Sequence, residues 1–134
     1  MTAHTLLQPP GWARPKGYAN GIAATGRLVF TAGVIGWTAD ESFAATDFVG
    51  QFRQTLENTL AILAEGGAGP EHVVRMTWYV VDRDAYLAAA REVGAVYREL
   101  MGRNYPTMAV VQVVALMEPA ALIEIETTAV VPLP

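Results

Sequence analysis

The period of apolar residues changes several times along the chain, and each change marks an element. Arg27–Ile35, RLVFTAGVI, is nearly continuously apolar, the pattern of a strand covered on both faces. Ala19–Ala24 reads as a shorter strand before it, and Thr25-Gly26 between them predicts a hairpin. The period then lengthens. Phe48, Phe52, Leu56, Leu60 and Leu63 recur at three- to four-residue spacing, which makes one apolar stripe on a helix. Thr46 or Asp47 supplies a cap for that helix, and Gly66-Gly67 stops it after about Glu65. Val73–Val81 alternates as a strand does. Asp82 or Asp84 opens a second helix to about Met101, with Leu87, Val93, Val96, Tyr97 and Leu100 inward and Gly102 as its stop. Ala109–Leu116 and Leu122–Val131 read as the last strands, separated by Met117-Glu118-Pro119. Residues 1–17, with Pro9, Pro10, Gly11, Pro15 and Gly17, read as an extended lead-in followed by turns, and 37–45 as a loop.

The resulting order, β-β-α-β-α-β-β, gives an α+β layer: one mixed sheet with two helices on one face. The other face carries large apolar side chains and needs a partner. At 134 residues the chain is expected to be one domain over 1–134, with a real core. A hydrophobic content of 52% against 16% charged argues for an ordered globule, and for apolar surface buried between subunits. The net charge of −4, a pI near 5.0 and the lack of a basic run argue against a nucleic-acid partner. Without cysteine there is no disulfide, thiolate nucleophile or sulfur-ligated metal. His4 and His72 lie far apart in the sequence, so a histidine-rich metal site is not expected. The N-terminus lacks a signal-peptide pattern, and no apolar run reaches the roughly 18–20 residues of a membrane helix. A cytoplasmic location without membrane contact is the expectation.

Four pieces carry more specific information: KGYANGI, VFTAGVIG, the central DFVGQFRQTLENTLAILAEGGAGPEHVVRMTWYVVDRDAY, and the C-terminal YPTMAVVQVV with its closing LIEIET. Gln54-x-x-x-Asn58, the Gly66-Gly67 helix end and the V-V-R-x-T strand fall among them. As an ordered set these pieces resemble the Rid/YjgF family of reactive-intermediate deaminases, over nearly the whole chain after about residue 15. The resemblance implies a chorismate-mutase-like homotrimer, with three sheets around a central barrel and small-molecule sites in clefts between subunits. It implies hydrolysis of an enamine or imine to a carbonyl compound and ammonia, with no cofactor. Residue by residue, Tyr18 matches the cleft tyrosine and Gly33 the glycine whose backbone approaches the ligand. Glu124 matches the acid that positions or polarises water. Three positions depart. Met108 stands where the family has its carboxylate-clamping arginine, Ala32 replaces a serine, and Gly94 stands where active members often carry asparagine.

Those departures bear on chemistry. A guanidinium holds a carboxylate through two charge-assisted hydrogen bonds, worth about 1.5–3 kcal/mol, and a methionine offers only a polarizable apolar wall. Efficient turnover of small 2-imino acids is therefore not expected. Glu124 is the candidate for proton transfer, although Glu124 and Glu126 also fit a solvent-facing or subunit-edge pair. Met108, Val110 and Trp37 would form a wider apolar pocket lined also by Ala32. Tyr18 fits a packing role as well as a ligand contact, packing is the first reading of Trp37, and Trp78 fits the core or barrel packing. Arg53, Arg75 and Arg103 are the candidates to replace the clamp, with a surface or interface charge as the first reading of each. His72 is expected to be exposed and without function. Gln112 would bond across the barrel. Three functions compete: a hydrolase with a bulkier substrate, a non-catalytic trimer binding a small metabolite, and, last, an endoribonuclease.

Overall fold

The structure is a computed structural model describing residues 2–134. Two short strands, β1 (Thr5–Leu7) and β2 (Gly21–Ala23), pair antiparallel with each other. The main sheet contains β3 (Arg27–Phe30), β4 (Val34–Ile35), β5 (Val73–Val80), β6 (Thr107–Gln112) and β7 (Ile123–Val131). Its order is β3-β7-β5-β6, with β4 also on β7; only β5 and β6 run parallel, so the sheet is mixed. The helices are α1 (Phe48–Glu65), α2 (Arg83–Ala88) and α3 (Ala90–Met101). They cover one face.

The expected hairpin does not form. β2 pairs with β1, a strand that Pro- and Gly-rich composition concealed, while β3 pairs with β7. Gly26 explains the separation. Its φ is 153°, and a Cβ there would lie 2.2 Å from the Val131 carbonyl oxygen, so the chain runs against the end of β7 instead of turning back on itself. The expected single strand over Arg27–Ile35 is also interrupted. From Phe30 to Val34 the chain takes four steps while its partner takes three, Thr128 to Ile125. That extra residue is a β-bulge. The Thr31 hydroxyl fills the gap by accepting from the Thr127 amide at 3.1 Å. Nor is the strand covered on both faces, since Leu28 and Phe30 are 56% and 65% exposed.

Helix α1 follows its sequence pattern. The Asp47 side chain accepts from the Gly50 amide at 3.0 Å, and Phe52, Leu56 and Leu63 are fully buried. The expected second helix is two. Asp82 caps α2 through the Ala85 amide, and the chain breaks at Ala89 before α3 begins. Leu87, expected inward, is 58% exposed, whereas Val93, Val96 and Tyr97 are buried as expected. β6 starts earlier than expected, at Thr107, and ends at Gln112.

The core lies between the helices and the inner face of β5 and β7, where Met76, Trp78, Ile123 and Ile125 meet Phe52, Leu56 and Met101. Gln51 is a buried polar member. It donates to the Ala120 carbonyl and accepts from the Leu122 amide, both at 2.8 Å, which ties the loop before β7 to α1. Asn58 donates to the carbonyls of Ile35 and Trp37 at 3.1 and 2.7 Å, so the Gln54–Asn58 pair holds the end of β4. The outer face of the sheet has no helix on it. There Tyr79 and Glu124 are register partners, and the Tyr79 hydroxyl donates to Glu126 at 2.6 Å. That hydrogen bond holds the Tyr79 phenol above its usual range. Leu28, Phe30 and Val111 lie on the same uncovered face.

Candidate active site

Two chain segments remote in sequence build the first half of the site. Ala19 bridges to Thr107, and its amide donates to the Pro106 carbonyl at 2.9 Å. This fixes Tyr18 beside the start of β6. Met108 and Val110 pair with Met76 and Trp78, and therefore point to the helix side of the sheet. A cavity of about 360 Å³ opens there, between β6 and the helices α2 and α3. Tyr18, Met108, Val110 and Gly94 line it. Trp78, Tyr86, Tyr97 and Tyr105 supply most of the aromatic wall. Burial raises the phenols of Tyr86 and Tyr97 above the usual range, so both rings stay neutral. The Tyr97 hydroxyl donates to the Asn104 carbonyl, which orients the ring parallel to Tyr105 with centroids 5.5 Å apart.

Glu124 is not in that cavity. Its register partners are Tyr79 and Ile35, so it projects from the uncovered face together with Gly33, while Met108 and Val110 project from the helix side. A Cβ at Gly33 would lie 2.3 Å from Glu124 Oε2. The carboxylate thus occupies the space that any larger residue at 33 would take. Ala32 is exposed next to it and accepts from the Thr31 hydroxyl at 2.8 Å. The bulge between β3 and β4 is what brings Gly33 under Glu124. A Gly33→Ala variant is expected to displace the carboxylate with little loss of stability, because the clashing atom ends a flexible side chain. The unfolding midpoint should stay nearly fixed, measured by thermal unfolding.

The remaining candidates separate clearly. Trp37 lines no part of the cavity and packs against Phe43 with centroids 6.2 Å apart. Arg53 is engaged in a two-point pair with Glu99, at 2.6 and 3.0 Å, and that pair holds the Glu99 carboxyl below the usual carboxylate range. Arg75 pairs with Thr107 and Thr128 and lies on the outer face, away from the cavity side that Met108 occupies. Arg103 borders an adjoining cavity of about 760 Å³, which shares Lys16, Tyr18 and Tyr105 with the first. Gln112 does not reach across a barrel within this chain; its side-chain oxygen accepts from the Arg83 amide at 2.7 Å and helps start α2. His72 is half-buried, not exposed: its Nδ1 accepts from the Gly69 amide at 2.9 Å. The two histidines also approach each other, with His4 Nε2 3.2 Å from the His72 carbonyl. Among the described residues, no three His, Asp or Glu side chains gather as metal ligands, and no helix is long and apolar enough to cross a membrane.

The sequence reading missed Lys16 and Arg98, which are the cationic residues of the first cavity. A signal for Arg98 existed: it stands four residues after Gly94, so the two share a helix face.

The family model for endoribonuclease L-PSP matches residues 12–131. The chain belongs to this family, also known as Rid/YjgF. This Rid protein is 33% identical over 105 residues to a RutC family protein of Haemophilus influenzae, covering 78% of this chain and 80% of the relative. It is 32% identical over 121 residues, 90% of each chain, to the Escherichia coli K12 protein named "Putative reactive intermediate deaminase TdcF". The crystal structure of YyfB from Yersinia pestis, a Rid protein described as of unknown function, superposes with a TM-score of 0.84 at 30% identity, over 96% of this chain and 98% of that one. The α+β fold with its mixed sheet is therefore the Rid fold.

Proposed function

We propose that this Rid protein is an enamine/imine hydrolase whose complete site forms between two copies in a homotrimer. The observation that carries this reading is the split of the candidate residues. Tyr18, Met108 and Val110 line a cavity on one side of the sheet, and Glu124 over Gly33 lies on the other. One chain cannot bring them to the same ligand. A second copy packed on the uncovered face supplies the missing half and buries Leu28, Phe30 and Val111. No cofactor takes part.

The chemistry asks little of the protein. Protonation at carbon converts an enamine to its iminium ion, whose C=N carbon then accepts water. The Glu124 carboxylate takes a proton from that water and passes it to nitrogen, and the carbinolamine collapses to a carbonyl compound with loss of ammonia. Because Met108 and Gly94 present no polar group, the site favours a larger conjugated enamine, of the aminomuconate type, over 2-aminoacrylate.

Ammonia release is to be measured with 2-aminoacrylate generated in situ and with a panel of larger enamines including aminomuconate. Turnover of the larger substrates is expected, with poor clearance of 2-aminoacrylate. Met108→Arg is expected to gain 2-imino acid hydrolysis. Efficient 2-aminoacrylate clearance by the unaltered protein would overturn the substrate assignment. Silence across the panel, with ligand-induced thermal shifts, would favour a non-catalytic binding trimer. That second reading draws on the loss of polar groups at 108, 94 and 32 together. A ribonuclease reading has little support in an acidic chain whose histidine rings meet backbone groups.

A further inference from the structure

Basic residues are unevenly placed in this acidic chain. Of nine lysines and arginines, four (Arg14, Lys16, Arg98 and Arg103) line the two adjoining cavities, and none of the thirteen Asp and Glu residues does. Clefts lined by one sign of charge concentrate ligands of the other. Within the smaller cavity the cations are Lys16 and Arg98. Unlike Arg53, Arg98 makes no ion pair among the described residues. A Cβ at Gly94 would lie 3.3 Å from Arg98 Nη1, so the guanidinium reaches back over the space that the glycine leaves empty. Trp78, in the cavity wall and only 3% exposed, has an indole N–H without a hydrogen-bond partner. A buried donor left unpaired is unfavourable, and a bound acceptor would relieve it.

We propose that Arg98, assisted by Lys16, is the carboxylate-binding group of this cavity, and that its ligand is a flat conjugated or aromatic acid. This rests on reading the cavity as the substrate half of the site. The cation has moved from the strand position held by Met108 to the exposed face of α3. An anionic group bound by Arg98 sits at the rim, and the body of the ligand extends inward over Met108 and Val110 between the aromatic rings. A small 2-imino acid would leave much of the roughly 360 Å³ empty. A planar acid fits, since its face stacks on Tyr and Trp rings and its carboxylate meets the guanidinium fork.

The probes are trans-cinnamate and its neutral amide, cinnamamide, titrated into the intact protein by calorimetry. Cinnamate is expected to bind at least tenfold more tightly than the amide. Arg98→Ala should weaken cinnamate about ten- to a hundredfold, the loss expected for a charge-assisted pair, and leave the amide unchanged. Arg98→Lys should recover part of the affinity, because it keeps the charge without the fork. Arg53→Ala should have no effect. The proposal is overturned if neither probe binds, if the two bind alike, or if Arg98→Ala retains full cinnamate affinity. Its fate is separable from that of hydrolysis. Arg98-dependent cinnamate binding in a protein that releases no ammonia removes the enzyme reading alone; hydrolysis that ignores Arg98 removes this inference alone.

Discussion

Glu124→Gln is expected to lower enamine hydrolysis about a hundred- to ten-thousandfold, the range for losing a positioned proton-transfer group. The substitution keeps the shape of the side chain and removes its ability to accept a proton. Stability should hardly change, because Glu124 is half-buried on the uncovered face and its carboxylate makes no hydrogen bond or ion pair among the described residues. A drop in rate with an unchanged unfolding midpoint therefore assigns the effect to chemistry. A mixing experiment then tests the shared site. Val110→Trp should fill the cavity and silence a chain that still carries Glu124. Refolding equal amounts of the two silent variants together should restore about a quarter of the sites, since random assembly pairs an intact cavity with an intact Glu124 that often. No recovery would mean that each chain holds its own site, and the reading of Glu124 as the partner's contribution would fail.

Phe52→Ala should have the largest effect on stability, about 3–5 kcal/mol, as expected when a fully buried aromatic ring is removed. Phe52 is completely inaccessible and packs on Trp78 with centroids 4.9 Å apart. Trp78 in turn meets Tyr86 and Tyr97, each at 6.3 Å. Removing Phe52 leaves a void behind the ring that forms the cavity wall. The variant should thus lose cinnamate affinity as well as stability, even though Phe52 does not line the cavity. Denaturant unfolding at fixed protein concentration measures the first effect, because the proposed trimer would make the midpoint concentration-dependent. A loss below about 1 kcal/mol would show that the core collapses around the gap instead of keeping it.

Helix α1 was legible in the sequence from cap to stop because its determinants are local. Asp47 meets an amide three residues away, the stripe from Phe48 to Leu63 repeats at the helical period, and Gly67 takes a φ of 73° just past the end. The strands β5 and β7 were equally clear from alternation. The hairpin was misread because Thr25-Gly26 has the composition of a turn, whereas the pairing of β3 with β7 joins residues about a hundred apart, which no local pattern encodes. The break at Ala89 was invisible for a related reason. Ala88, Ala89 and Ala90 have no bulk that would distinguish a continuous helix from a bent one, and packing around Tyr86 and Tyr97 decides.

For the site, the sequence by itself determined which residue types remain: a glutamate at 124, a glycine at 33, a tyrosine at 18, and methionine in place of arginine at 108. Local pattern and family likeness reach that far because they describe one position at a time. Only the tertiary structure decided where those residues point. Strand register sends Met108 and Glu124 to opposite faces, the bulge after Phe30 seats Gly33 beneath Glu124, and the helical step from Gly94 brings Arg98 to the cavity. Each outcome depends on a shift of a single residue in register or helical phase. A one-residue shift reverses the face a side chain occupies but leaves composition and hydrophobic pattern almost unchanged.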